Sequence, residues 1–189
     1  MPALQYELLK KIQFEGGIEA NYPIFVETGT CEGRTIFEME KYFDELHTIE
    51  IKEGFYTKVK SRYKGDKIHF HLGDSSKVLP KIASDLKSNT LFFLDGHWSS
   101  GNTGRGEKDC PLIEELKVIN SKFSHKAIII IDDYRLFGKG PNIGGCAENW
   151  EDIQKSKVLD IVQNRLVKTY HLPSSYHKED RMLIHLRSI

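Results

Sequence analysis

Residues 127–131 read AIIII and run directly into Asp132 and Asp133. Aliphatic side chains at every position leave no face for water, so a strand made of them must be covered on both sides. Strands covered on both faces belong to mainly parallel sheets sandwiched between helices. The run is far shorter than the ~20 residues that a membrane-crossing helix needs. Residues 91–94, LFFL, repeat the pattern and end in Asp95. Two strands that are apolar throughout and acidic at the end therefore point to the fold class and, if they are neighbours, to the first candidate site.

The rest of the chain alternates between strand and helix patterns. Helical spacing over 3–14 puts Leu4, Leu8, Leu9 and Ile12 on one face, and Gly16-Gly17 ends that helix. Strands are expected at 24–26, 47–51 and 67–72, with helices over 34–43, 53–63 and 76–86; Pro80 should weaken or kink the last of these. Further helices are expected over 111–122 and 149–162, and strands at 165–171 and 180–187. Strands alternating with helices predict an α/β fold with a mainly parallel, seven-stranded sheet. The connection at 172–179 is too short for a parallel crossover, so the last strand should run antiparallel. With no repeat, low-complexity stretch or linker, one domain is expected over 1–189: an N-terminal helix in 1–20, the main motifs in 22–137, and a helix with two strands in 138–189.

Composition excludes several classes. Lys plus Arg and Asp plus Glu both number 27, giving zero net charge and none of the basic excess of a nucleic-acid binder. Cys31, Cys110 and Cys146 form no zinc or disulfide pattern, and charged residues interrupt 1–20 before any apolar leader could form. A cytoplasmic chain with a small-molecule partner, no nucleic-acid partner and no membrane span is expected; homo-oligomerisation is left open.

The first strand leads into Glu27-x-Gly29-x-x-x-Gly33-x-Thr35, glycines where a strand turns into a helix. There backbone can approach a ligand closely. An ordinary tight turn is the alternative. The next strand ends in Glu50, an acid able to hold two ribose hydroxyls, and the third is followed by Asp74-Ser75, where an adenine would lie. Three such features at successive strand ends favour a nucleoside-cofactor site.

The stretch Val26-Glu27-Thr28-Gly29-Thr30-Cys31-Glu32-Gly33-Arg34-Thr35 resembles the cofactor loop of class I S-adenosylmethionine-dependent methyltransferases, in the variant of the catechol O-methyltransferase-like enzymes, with Cys31 where the commoner form has a glycine. The resemblance covers roughly 22–137. It implies a Rossmann-like methyltransferase fold and S-adenosylmethionine as cofactor, with Glu27, Gly29, Thr30, Cys31, Gly33, Thr35, Glu50, Asp74, Ser75 and Asp95 around it.

The second constellation is Asp95 with Asp132 and Asp133. Adjacent strand ends lie ~4.8 Å apart, at the carboxyl edge where α/β folds bind ligands. Three carboxylates that close repel, and a divalent cation resolves the repulsion; oxygen ligands favour Mg²⁺, Mn²⁺ or Ca²⁺. The alternative is that one acid caps a helix and another is solvated. Leu94-Asp95-Gly96-His97-Trp98 with Ile131-Asp132-Asp133-Tyr134 resembles the metal-site pair of metal-dependent O-methyltransferases, closest to the macrocin O-methyltransferase-like group that acts on sugar hydroxyls. In that group an acid two positions after the first metal-binding Asp commonly serves as base, and His97 stands there in this sequence. The resemblance thus implies Asp95 and His97 as catalytic residues and Asp95, Asp132 and Asp133 as metal ligands. For His97, metal ligand and orderer of the 96–110 loop are the alternatives to base.

The expected reaction is methyl transfer to a hydroxyl of a sugar or small metabolite. A metal-independent N- or C-methyltransferase and a nonenzymatic nucleoside-binding module are the rivals. The loop at 96–110 is a candidate substrate lid, with Arg105 and Lys108 on it and Trp98 and Tyr134 flanking the acids. His69 and His71 share a strand face, read as solvated, with no third ligand in view. Residues 101–108 miss the P-loop pattern and are set aside.

Overall fold

The computed structural model describes residues 4–12 and 22–189. Seven strands form one sheet: β1 (Ile24–Thr28), β2 (Glu45–Glu50), β3 (Ile68–Leu72), β4 (Thr90–Leu94), β5 (Ala127–Ile131), β6 (Leu166–Leu172) and β7 (Arg181–Leu186). The helices are α1 (Tyr6–Leu9), α2 (Arg34–Met39), α3 (Glu53–Arg62), α4 (Ser75–Asp85), α5 (Leu112–Lys122) and α6 (Lys155–Val162), with a 3₁₀ turn at Tyr134–Leu136. The strand order is β3-β2-β1-β4-β5-β7-β6. β1 to β5 pair in parallel, and β7 lies antiparallel to both β5 and β6. This is the Rossmann-like methyltransferase fold, with the antiparallel last strand that the short 172–179 connection requires.

The five-residue run of β5 explains the two-layered core. Ala127, Ile129 and Ile131 pack into the cluster under α4, α5 and α6, which also holds Val26, Phe92 and Leu94. Ile128 and Ile130 point the other way, into the cluster of Phe25, Leu91 and Phe93 with residues of α1 and α2. Complete burial of one such Ile contributes roughly 1.5–3 kcal/mol, so the two-sided run anchors both layers at once.

Three local expectations change. α1 covers only Tyr6–Leu9, although Leu4, Leu8, Leu9 and Ile12 are all buried as the spacing predicts; the expected end at Gly16-Gly17 lies outside the described residues. The second helix stops at Met39 rather than 43. α4 runs from Ser75 to Asp85 with Pro80 inside it, close to the expected span. The helix expected from 149 begins at Lys155, because the preceding backbone is engaged elsewhere: Asn149 N–H donates to Asp109, Trp150 N–H to the Lys139 carbonyl, and the Asn149 side chain accepts from Glu151 N–H.

Arg165 is among the largest fully buried side chains. Its guanidinium donates to the carbonyls of Ile119, Asn120, Phe123, His125 and Arg187. It thereby caps the carboxyl end of α5, where a cation complements the helix dipole, and ties that helix to the end of β7. Among the described residues no helix is long and apolar enough to cross a membrane.

Candidate active site

The carboxyl ends of β1, β2 and β3 frame a narrow cleft lined by Gly29, Ile49, Ile51, Asp74, Ser75 and Gly96, among others. Gly29 marks one of its close approaches. The residue sits at φ +85°, and a Cβ there would lie 2.3 Å from the Asp95 carbonyl oxygen. Only glycine tolerates both the left-handed backbone and the approach. Gly33, also left-handed, caps α2, and Thr35 lies buried in the first turn of that helix. Cys31 takes φ 48° and turns its N–H onto Glu50.

Glu50 is buried at the end of β2. Its Oε2 accepts from Cys31 N–H at 2.7 Å and its Oε1 from Lys52 N–H at 2.8 Å. A carboxylate has about four acceptor sites, so two remain for further donors. Asp74 caps α4, its Oδ1 accepting from Ser76 N–H at 2.9 Å. Glu27, in contrast, is buried inside the sheet, where it accepts from the Thr48 hydroxyl at 2.6 Å; Thr48 also bonds Thr30. Burial pushes the Glu27 carboxyl up to about 8, against the Thr48 hydrogen bond. Glu27 braces the loop from beneath rather than lining the cleft.

The 96–110 loop crosses the nucleoside side of this cleft. A Cβ on Gly106 would lie 2.7 Å from Asp74 Oδ2, so the loop backbone rests on the expected adenine acid. Exposed pairs, Lys52 with Asn102 and Lys77 with Glu107, fasten it to the rim. Such exposed contacts are worth little each. Arg105 stacks on Trp98, 4.3 Å from the ring, and pairs with Asp109. Beyond the loop a larger cavity of about 610 Å³ is lined by Trp98, Arg105, Lys108, Ile113, Asn149 and Lys157 among others. Lys108 borders both spaces. Tyr134 turns away from them and packs on His171 and Phe137.

The acids at the ends of β4 and β5 are arranged differently from the expected trio. Groups of ligand atoms within 4.8 Å of one another comprise Asp95, His97 and Asp133, and separately Asp132, Asp133 and Asp180. Asp133, at left-handed φ 57°, belongs to both groups, whereas Asp95 and Asp132 share neither. Asp132 Oδ1 lies 3.2 Å from the Arg181 guanidinium, while Arg135 bridges Asp133 and Asp180. Protein cations thus already answer part of the repulsion.

His97 is buried edge-on against Trp150, between two carboxylates. Its Nδ1 is 3.5 Å from Asp95 Oδ1 and its Nε2 is 3.2 Å from Asp133 Oδ2. Neither oxygen has an aligned hydrogen-bond partner among the described residues, although both are buried. Two orphaned carboxylate oxygens around one imidazole fit a small cation or a shared proton. Burial, reinforced by Asp132 and Asp133, holds the Asp95 carboxyl well above its ordinary range. Burial pushes Asp132 up to about 6, opposed by Arg181, and depresses His97 despite Asp133 nearby. Glu115, buried against Ser75 and Thr28 between the two halves, is pushed up to about 7 by burial.

Arg135, Asp180, Arg181, Glu115 and Trp150 were not singled out from sequence. A signal existed for Asp180-Arg181. An antiparallel last strand brings its own start to the carboxyl end of its neighbour, and Met182 indeed pairs with Ile131.

No protein-family model and no curated protein matches the chain. Among solved structures, the O-methyltransferase TomG from Streptomyces achromogenes, involved in tomaymycin synthesis and in complex with SAM, superposes with TM-score 0.61 at 14% identity, over 88% of this chain and 74% of that one. A putative S-adenosylmethionine-dependent methyltransferase from Listeria monocytogenes gives 0.55 at 11% identity, over 97% of both chains. The N-methyltransferase NodS from Bradyrhizobium japonicum WM9 gives 0.57 at 11% identity, over 97% of this chain and 93% of that one. At these identities the likeness defines a class of fold, one shared by O- and N-methyltransferases.

Proposed function

We propose that this chain transfers a methyl group from S-adenosylmethionine to a hydroxyl of a sugar or small metabolite, with an oxygen-preferring divalent cation such as Mg²⁺ assisting. The observation that carries this reading is the position of Asp95. Its main-chain carbonyl packs on Gly29 of the nucleoside loop, while its side chain faces His97 in the acid cluster. One residue therefore touches both halves of the site.

The cofactor, when bound, supplies a methyl group on a positively charged sulfur. The free acceptor sites of Glu50 take the ribose hydroxyls, with Asp74 and Ser75 on the adenine side. The cavity beyond Trp98 and Lys108 holds the acceptor. Asp95 and Asp133 would hold such a cation through their orphaned oxygens, and it would supply a Lewis acid for the acceptor hydroxyl. His97 is the base: its Nδ1 takes the hydroxyl proton while Nε2–H stays directed at Asp133. Transfer of that methyl to the hydroxyl oxygen would break its carbon–sulfur bond and leave the sulfur as a neutral thioether. Alignment of the two reactants supplies much of the acceleration.

A metal-free reading is favoured by one specific observation, the arginines that already pair with Asp132, Asp133 and Asp180. Incubating the protein with methyl-labelled cofactor and a panel of hydroxylated and amine metabolites, with EDTA or with Mg²⁺, separates the two. Labelled hydroxyls formed only with Mg²⁺ support the first; undiminished turnover in EDTA selects the second. Failure to bind S-adenosylhomocysteine by calorimetry overturns both.

A further inference from the structure

We propose a transition-metal site on the sheet edge formed by Glu45 and His47 of β2 and His69 of β3, with His71 as a positioning residue. It takes a dication of the zinc class, which accepts imidazole nitrogen together with carboxylate oxygen. The site lies toward the amino ends of these strands, away from the cleft at their carboxyl ends, and does not rest on the reading of that cleft.

The topology assembles it. Parallel pairing sets His47 directly opposite His69. Alternation along each strand then puts Glu45, His47, His69 and His71 on one face. Ligand atoms of Glu45, His47 and His69 lie within 4.8 Å of one another. Ligands of a tetrahedral zinc sit about 3.4 Å apart, so modest side-chain rotation closes the set. Glu45 and His69 are partly or fully exposed, which leaves a path for the ion and room for a water as fourth ligand.

The four side chains also divide the work that such a site needs. His47 Nε2 lies 2.9 Å from Glu45 Oε1, so these two ligand atoms already converge. His47 Nδ1 is 3.0 Å from His71 Nε2, which fixes the ring and its tautomer. A ligand imidazole whose second nitrogen is held in this way is the usual arrangement around bound metals. Stacking adds to the rigidity: the His47 ring lies 4.9 Å from that of His69 and 5.3 Å from that of His71. Read from sequence, His69 and His71 are a solvated face without a third ligand. That ligand is on the neighbouring strand, where spacing along the chain does not reveal it.

The test is calorimetric titration of the metal-stripped, full-length protein with Zn²⁺, together with NMR of the histidine ring nitrogens. One equivalent should bind with shifts at His47 and His69. His69→Gln, a change at an exposed position, should abolish that equivalent, and Glu45→Gln should weaken it at least tenfold. His71→Gln should weaken it roughly 10–100-fold while leaving one equivalent bound. His97→Gln should leave it unchanged, which separates this site from the acids at the carboxyl edge. No Zn²⁺ uptake by the wild type, or uptake that survives His69→Gln with the ring shifts confined to His97, overturns the proposal and leaves Glu45–His47–His71 as a hydrogen-bonded brace.

Discussion

The two halves of the carboxyl edge hold acids by opposite means. At the half proposed for the nucleoside, Glu50 is fixed by main-chain donors, Cys31 N–H and Lys52 N–H, which neither titrate nor swing away. At the other half, Asp95, Asp132 and Asp133 face side chains: His97, Arg181 and Arg135. The first half is pre-organised to receive donors. The second is electrostatically unfinished, with two buried carboxylate oxygens unbonded and Asp95 pushed toward its protonated form. One edge thus combines a rigid binding surface with a group of residues whose protons can move.

The largest effect expected from breaking this contrast is at His97. His97→Gln keeps size and polarity but cannot take a proton. Turnover should fall ~10²–10⁴-fold with S-adenosylhomocysteine affinity unchanged. Steady-state rates and calorimetry on the same preparation check this. A loss of metal affinity instead would identify His97 as a ligand, and wild-type turnover with an unaltered pH profile would remove it from the chemistry.

Next in size is Arg181. Arg181→Met leaves Asp132 buried without its guanidinium, and losing one partner of a buried pair costs about 3–5 kcal/mol. The penalty depends on pH with a definite sign. Asp132 already sits raised to about 6, and loss of Arg181, which opposes that rise, lifts it further. Below the folded pKa the carboxyl protonates and the penalty shrinks; above it the charge stands uncompensated. Denaturant melts at pH 5 and pH 8 should therefore differ more for the variant than for wild type. Equal penalties at both values would mean that Arg181 acts by packing alone.

Glu27→Gln probes the rigid half. The folded carboxyl is raised to about 8 from an ordinary value near 4.5. A raised acid stabilises the fold below its unfolded pKa, and that contribution disappears as pH climbs through the folded one. Between pH 5 and 8 the wild type should lose stability relative to the Glu27→Gln variant, whose amide carries no ionisable proton, by on the order of 2–4 kcal/mol. Parallel thermal melts across that window measure the divergence. If the curves run parallel, Glu27 is ionised in the fold and its bond to Thr48 is charged.

The contrast also explains what could be read from the chain beforehand. Main-chain devices leave local signatures: the glycines at 29 and 33, an acid at the end of β2, and the Asp74 cap all stand next to the strand they serve. The Ile-rich run announced its own two-sided burial. Side-chain partners from distant segments leave none. Arg165 reads as an ordinary charge in a tail, yet it closes α5 through carbonyls on three segments. Arg135 reads as a residue after the acids, and only the left-handed turn at Asp133 aims it back. His47 joins His69 solely because parallel pairing sets their register. Strand adjacency places Asp95, Asp132 and Asp133 at one edge, but adjacency fixes where backbones end and says nothing of the turn that groups Asp133 with His97.

The smallest expected effect sharpens the comparison most, because it asks whether the rigid half acts as a unit. Glu50→Ala removes the acceptor for the ribose hydroxyls and also frees Cys31 N–H and Lys52 N–H. Those two amides lie at the rim, where water can reach them, so the loop should hold: Gly29 N–H still donates to the Ile49 carbonyl at 2.9 Å and Gly33 still caps α2. The loss then falls on the ligand. Two ribose donors left unpaired cost ~1.5–3 kcal/mol, or roughly 10- to 150-fold in affinity for S-adenosylhomocysteine. Glu50→Gln retains one acceptor and should recover part of that. The melting temperature without ligand should barely move in either variant, whereas the ligand-induced shift should be largest for the wild type, smaller for Glu50→Gln and smallest for Glu50→Ala. A large fall in unliganded stability with ligand affinity intact would reverse the assignment, making Glu50 a brace for the loop and leaving the ribose to the main chain.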